Sequence, residues 1–425
     1  RVRAMLQEDA VISGGRIRLE YFDPEPFSET EDRALAFGLQ GVPLDQSGEQ
    51  IYFGLVGSNQ LDDERTIPFI QPDRERFLEY DLTRLVFELS NPRRTVVGMM
   101  SSLPVNGDPR MMQMRQPGMT SGQPYAFTQG LRQFFTVRDV AQDAQVIEPD
   151  VQVLRVIHPQ GLPDQTLYAI DQFVMRGGRL IVFLDPHSEG QAMRPTMGGR
   201  PPANTSSSLD RLLNVWGVEA PNDQIVADLR GAWRVRANPN DRVQAVDYVA
   251  WFNMSGDSLN RNEVSTGQLN QVTVASAGQV RRREGATVEF TPLLTSSERS
   301  EMLPVARVQQ EPNPSAILAD FAADGQRRVI AARVRGTLRS AFEGAPALPA
   351  GTQRPEGFPA HRAETEGPAN FVVVNDADIL EDRFWIRIQD FFGQQVGTPF
   401  SDNGSFVGTL VDALSGGDAL ISLRS

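Results

Sequence analysis

A phrase repeats along this chain: a glycine pair, an apolar run and an abrupt polar stop. It reads MRGGRLIVFLDPH over residues 175–187 and SGGRIRLEYFDP over 13–24, and it begins again as SGGDALISLRS over 415–425. Adjacent glycines accept the left-handed conformation that ends a helix at small steric cost. The apolar run that follows reads as a strand, and Asp-Pro ends it because proline has no amide to give to a ladder. Helix stop, strand, strand stop is the grammar of an α/β protein. The same phrase leaves an acid and a histidine, Asp185 and His187, at the carboxyl end of a strand.

The first ninety residues parse into small elements. Val2, Met5, Leu6 and Ala10 mark the tail of a helix stopped by Gly14 and Gly15. Residues 16–22 alternate, with Ile17, Leu19 and Tyr21 on one side, the pattern of a half-buried strand. Ser28 followed by Glu31 forms a capping-box signature for a helix ending near Gly38. Strands are predicted over 51–56 and 66–70. Phe77, Leu78, Leu82, Leu85, Val86 and Leu89 then share one helical stripe, and Asn91-Pro92 closes the unit. This order is that of a thioredoxin-like α/β unit, truncated by its first strand, over residues 1–91. With no cysteine anywhere, it carries no redox motif.

Residues 92–425 have a second α/β rhythm. Strands are predicted over 95–100, 151–157 and 180–184, the last a continuous apolar run of the kind covered on both faces. Helices are predicted over 125–135, around Leu167, Ile170, Phe173 and Val174, and over 208–216. Between about 220 and 335 the pattern turns to strands, a β-rich elaboration of the same sheet. A buried strand returns at 370–374, and a helix at 406–414 leads to a terminal strand. Three stretches, 103–124, 189–207 and 343–370, read as long loops, a length usually reserved for functional or mobile segments.

In open parallel sheets, ligands sit beyond the carboxyl ends of the strands. Here those ends carry Ser101, His158, Asp185, His187, Asp376 and Asp378, which together make a candidate polar cleft. The preferred reading is that they cap exposed strand ends and helix starts. The alternative is a hydrolase or metal-dependent enzyme, with a triad drawn from Ser101, His158 or His187, and Asp185, or a metal held by the histidines and an aspartate. A second candidate is the loop that bears Met111, Met112, Met114 and Met119. Without accompanying His or Cys, such thioethers form an adaptable contact for a protein partner in preference to a copper(I) site. Arg281 to Arg283 reads as a solvated turn. Asn204-Thr205-Ser206 fits a glycosylation sequon, which matters only in a eukaryotic source.

Composition removes several classes of chemistry. All 41 basic residues are arginine, so there is no Schiff-base lysine and no Walker loop. A net charge of −13 argues against nucleic acid or an anionic membrane face as partner. The sequence has no nucleophile elbow, dinucleotide fingerprint or zinc-protease motif, and no cofactor is expected. Apolar runs are too short to span a bilayer, and no signal peptide is present. The chain starts at Arg1 and is read as a fragment whose anchors lie outside it.

Five phrases in order, SGGRIRLEYFDPEPFSE, FLEYDLTRLVFEL, LYAIDQFVMRGGRLIVFLDP, NDADILEDRFW and DNGSFVGTLVDALSGGDALISLRS, resemble the GldG-type auxiliary components of ABC transporters, which are associated in some bacteria with gliding motility. The resemblance covers almost the whole chain. It implies an extracytoplasmic (periplasmic) domain of a bacterial inner-membrane protein, held by flanking transmembrane helices, with an ABC permease and ATPase as partners and exported cargo as a further one. It also implies a doubly wound, flavodoxin-like main domain similar to class I glutamine amidotransferases, related to a domain of an intraflagellar-transport protein. The amidotransferase activity needs a cysteine that this chain lacks, so a non-catalytic scaffold or binding subunit is expected.

Overall fold

In a computed structural model the described residues are 2–43, 50–70, 78–90, 94–108, 122–194, 202–237, 243–309, 312–391 and 394–415. They fall into two compact units that divide between Arg94 and Thr95.

In the smaller unit, α1 (Val2–Ile12) ends at Gly14 and Gly15, with φ of 62° and 85°. Helix α2 (Glu29–Ala36) begins as its signature predicts: the Ser28 hydroxyl accepts the Glu31 amide at 3.2 Å. The Glu31 carboxylate reaches back one residue further than in a standard box, to the Phe27 amide at 2.6 Å. The strands form two separate antiparallel ladders, β1 (Gly41–Pro43) with β2 (Gln50–Tyr52) and β3 (Leu55–Ser58) with β4 (Glu64–Ile67). The strand predicted over 51–56 is thus broken in two. Helix α3 (Leu78–Ser90) packs Leu78 and Leu82 on Leu6, Leu55 and Ile67. Residues 16–22 alternate as read but join no ladder. Tyr21 and Phe22 remain 50% and 58% exposed, with the Arg3 and Arg33 guanidinium groups over their rings at 4.8 and 5.3 Å. Alternation specifies which side faces in, and a strand also needs a partner edge.

The larger unit is built on a seven-stranded sheet. Its strands are β5 (Val96–Ser101), β6 (Thr136–Asp139), β7 (Val153–Ile157) and β8 (Arg179–Phe183), with β15 (Glu289–Thr295), β17 (Val329–Gly336) and β18 (Ala369–Val374). The order is β15-β17-β18-β8-β7-β5-β6, parallel from β18 to β6. Strand β17 runs antiparallel to both of its neighbours. Counting the parallel strands along the chain gives the order 2-1-3-4-5, so the direction of winding reverses between β5 and β7.

The continuous apolar runs are explained by cover on both faces. Leu154, Val156, Leu180, Val182, Phe371 and Val373 share a core with α5 (Asp164–Met175) and with Leu212 of α7 (Asp210–Leu213). Val153, Ile157, Ile181, Phe183, Val372 and Val374 share the other with α4 (Ala126–Phe134) and α9 (Asn403–Ser415). Each such side chain contributes roughly 1.5–3 kcal/mol on leaving water. The glycine pair of the repeated phrase has a double use here. Gly177 takes φ 87° to stop α5, and a Cβ on Gly178 would lie 2.4 Å from the Phe173 ring.

The elaboration is β-rich, as predicted. Strand β9 (Val218–Glu219) pairs with β14 (Arg281–Arg282), and β10 (Gln224–Asp228) pairs with β16 (Ser300–Pro304). A three-stranded sheet joins β11 (Ala232–Arg236), β12 (Ala245–Ser255) and β13 (Gln271–Ala275). Two short helices, α6 (Glu189–Ala192) and α8 (Pro314–Asp320), and a hairpin of β19 (Ile386–Phe391) with β20 (Gln394–Pro399) complete the unit. The hairpin and α8 have no counterpart in the sequence reading. The chain on either side of Phe342 is pinned to α5, where Tyr168 stacks on Phe358 and His361, and Asp171 accepts the Ala341 amide and the Ser340 hydroxyl. The predicted terminal strand, Asn91-Pro92 and the methionines at 111, 112, 114 and 119 lie outside the described residues.

Candidate functional site

Strands β8 and β18 are parallel neighbours, so their carboxyl ends deliver Asp185 and the pair Asp376 and Asp378 to one place. Carboxylate oxygens of the three lie within 4.8 Å of one another, and all three residues are buried. Each has its oxygens bonded. Asp185 accepts the His187 and Ala377 amides, both at 2.9 Å. Asp376 accepts those of Ala275 at 3.0 Å and Ile379 at 3.1 Å. Asp378 accepts the Glu189 and Gly190 amides at 2.5 and 2.9 Å and the Ser188 hydroxyl at 3.1 Å. It thereby caps the exposed amides at the start of α6 from across the chain. Gly190 is required for that approach, since a Cβ there would meet Glu381 Oε2 at 2.6 Å.

The segment after β8 folds back over these strand ends. The Ser207 amide bonds the Asp185 carbonyl, the Ser188 amide bonds that of Thr205, and the Ser207 hydroxyl accepts the Asp185 amide. His187 is buried and its Nδ1 is 2.7 Å from the Thr205 hydroxyl, with Glu189 Oε2 at 3.9 Å from its Nε2. Glu189 in turn accepts the Trp251 indole N–H at 3.0 Å and the Ser276 hydroxyl at 2.6 Å. His158, at the end of β7, is fully buried, takes φ 50° and places Nε2 2.9 Å from Gln191 Oε1.

Burial dominates the electrostatics. It raises the pKa of Asp185 and Asp378 well above the carboxylate range, and neighbouring carboxylates add to the rise. Asp376 is pushed to about 7, again by burial first. Burial also lowers both histidines, His158 to about 4. Burial thus favours the neutral form of these acids and of both imidazoles.

Five of the six residues named from the sequence thus gather at one rim, though as a buried polar lattice in place of an open cleft. Ser101 does not join them. Its hydroxyl closes its own turn, accepting the Leu103 amide at 3.0 Å and donating to that residue's carbonyl at 2.9 Å. The triad drawn through Ser101 is therefore not assembled, and neither histidine belongs to the close group of carboxylate oxygens. Each carboxylate oxygen retains a lone pair with which to bind a hard cation, but each is already bonded by a backbone amide, and that arrangement serves the loop first. Thr205, Glu189, Gln191 and Trp251 escaped the sequence reading, because only tertiary contacts of residues 187–191 with 205–207 and the packing of β12 bring them to the rim. Among the described residues no helix is long and apolar enough to cross a membrane.

Comparison with protein families finds two matches. The family described as an ABC-type uncharacterized transport system matches residues 94–409, and a domain of unknown function matches residues 1–58. No curated protein matches. Among solved structures, a β-galactosidase from Bacillus circulans sp. alkalophilus aligns at 9% identity and TM-score 0.28, over 81% of this chain and 34% of that one. A cold-adapted β-galactosidase from Rahnella sp. R3 aligns at 9% and 0.28, over 79% and 33%. The chain spans about a third of the length of these structures.

Proposed function

Because the chain belongs to the family of ABC-type transport-system auxiliary components, matched over residues 94–409, we propose that it is a non-catalytic scaffold subunit on the extracytoplasmic face of its transporter. It contacts the permease and ATPase assembly, or exported cargo, through the loops beyond the sheet, with Met111, Met112, Met114 and Met119 as candidate contacts. Flanking segments outside this chain supply its hold on the membrane. The 2-1-3-4-5 strand order supports a flavodoxin-like, amidotransferase-like reading of the larger unit. The two separate ladders of the smaller unit give its thioredoxin-like reading less support.

One observation carries the non-catalytic reading. The acids at the rim are buried and each of their oxygens already accepts a backbone amide, so they hold the surrounding chain in place and are not presented to a substrate. The test is affinity purification of the anchored protein from native membranes. A permease and an ATPase should accompany it, and replacing the four methionines of the 103–124 loop by serine should weaken the association. A detergent-stable monomer that brings down neither component refutes the proposal.

A hydrolase is the second reading, and one geometric fact favours it: Thr205 Oγ1, His187 Nδ1 and Glu189 form a hydroxyl–imidazole–carboxylate line. It predicts turnover of a simple aryl ester that disappears in His187→Gln.

A further inference from the structure

A cavity of about 390 Å³ opens at the edge strand β15 and shares no residue with the acid cluster. One wall is the segment that follows β12, from Asp257 to Arg261. Pro292 and Thr295 of β15, with Arg327, make the other. Asn260 fastens the two walls, its amide donating to the Leu293 carbonyl at 3.0 Å and its Nδ2 to the Pro292 carbonyl at 2.7 Å.

The charges of this cavity are unevenly committed. Arg327 uses every nitrogen: Nε donates to the Ser296 carbonyl at 2.9 Å, Nη2 to that of Asp257 at 2.7 Å, and Nη1 lies 3.3 Å from the Asp257 carboxylate. Arg230 holds the other oxygen of that carboxylate at 2.8 Å. Arg261 differs. Its Nη1 alone donates to two carbonyls, Gly267 at 3.3 Å and Leu269 at 2.7 Å, which fixes the guanidinium plane. Nε and Nη2 have no partner among the described residues, nor has the Thr295 hydroxyl. Those two N–H groups are the edge of the fork that takes a carboxylate side-on through parallel bonds. Three guanidinium groups against one carboxylate also leave this wall positive, on a chain whose net charge is −13.

The geometry points to a binding site for the carboxylate of a small organic acid, held by Nε and Nη2 of Arg261, with the Thr295 hydroxyl as a further donor and Pro292 beside its carbon chain. A planar anion of single charge matches what is uncommitted, one guanidinium edge without a counter-charge. A phosphate dianion would bring a second charge near Asp257 with no free guanidinium to meet it, and an amine would meet mainly like charge. The volume is at the lower end of that of small-molecule sites.

Binding is read on the chain by itself, so its outcome is independent of the scaffold reading. Butyrate should give saturation-transfer signals by NMR with a dissociation constant on the order of 1 mM, weakened by added sodium chloride. Butanol and butylammonium should give none. Arg261→Lys keeps the charge but loses the fork and should weaken binding about tenfold; Arg261→Gln should abolish it. Because Nη1 also holds the Gly267 and Leu269 carbonyls, a variant expected to gain affinity separates binding from a damaged fold. Asp257→Asn removes the neighbouring negative charge and should tighten butyrate about threefold. Absence of any butyrate signal, equal signals from the parent chain and Arg261→Gln, or no gain in Asp257→Asn overturns the site. Butanol bound as well as butyrate, or inorganic phosphate displacing butyrate at lower concentration than butyrate itself needs, overturns the ligand class.

Discussion

Asp378 and Arg155 are both withdrawn from solvent, at 1% and 0% exposure, yet their surroundings are opposite. The carboxylate of Asp378 accepts two amides and a hydroxyl, and it has Asp185 and Asp376 as close neighbours. Arg155 projects from β7 into the layer beneath α4 and α9. There Nη2 donates to the Val407 carbonyl at 2.9 Å, and Nε and Nη1 have no partner among the described residues. Its company is aromatic, with Phe127 and Phe183 centred 5.6 and 5.4 Å from the guanidinium carbon. The acid is fixed by directional bonds that tie two strand ends to a returning loop. The arginine is tolerated by ring faces and a single carbonyl, and burial lowers its pKa to about 9. Burial alone therefore does not rank a polar group; what its removal would strand does.

The largest effect should follow from removing the acid. Asp378→Leu leaves the Glu189 and Gly190 amides and the Ser188 hydroxyl without an acceptor, at a cost of about 3–5 kcal/mol in urea unfolding. Asp378→Asn keeps one acceptor oxygen and should cost less than half as much. Near-equal losses for the two variants would mean that charge, and not bonding, holds the rim.

Dependence on pH sharpens the same contrast. The folded-state pKa values of Asp185, Asp376 and Asp378 are raised, so their contribution is complete below the ordinary carboxylate value near 4. It is lost as pH climbs through the folded values, about 7 for Asp376 and higher than usual for the others. His158 and His187 have lowered values, so their contribution is present above about 6.5 and is lost as pH falls. The two trends oppose each other between about 4 and 6.5, but above that window only the acids titrate. Glu189 and Glu381 face Asp378 with like charge and Arg194 with opposite charge, and these set how steep the fall is. Unfolding free energy should drop by about 1–3 kcal/mol between pH 6.5 and 8.5, and Asp376→Asn should flatten the slope. A flat profile over that interval would show the cluster to be already ionised in the native state.

The sequence marked this rim only in part. Asp185, Asp376 and Asp378 were legible because strand ends are punctuated locally, by a glycine pair before β8 and a polar run after β18. Their partners were not. Thr205 meets His187 from 18 residues away in sequence, with no periodicity linking the two, and Trp251 reaches Glu189 from β12. Residues 16–22 misled in the other direction, since their alternation is real but no neighbouring edge receives it. The β19–β20 hairpin was missed because IRIQDF and QQVGTP alternate weakly and lack a two-residue turn signature between them. Arg155 shows the same limit inside a strand. VQVLRVI announces a buried run, and nothing local says that its arginine will face Phe127 and Phe183.

That arginine gives the smallest predicted effect and the most direct test of the comparison. Arg155→Met keeps the length and apolar stem of the side chain while removing a charge whose only directional bond goes to one carbonyl. The Val407 carbonyl belongs to α9 and retains its helical environment, so no buried donor is stranded. Replacing a poorly compensated buried charge with a hydrophobic residue of similar shape is often neutral or stabilising. Arg155→Met should therefore unfold within about 1 kcal/mol of the parent chain. Arg155→Ala empties the layer between the sheet and α9 and should cost about 2–4 kcal/mol from the cavity alone. If methionine proved as costly as alanine, the guanidinium would have to be holding an anion or a carboxylate beyond the contacts described, and Arg155 would join Asp378 as a bonded charge.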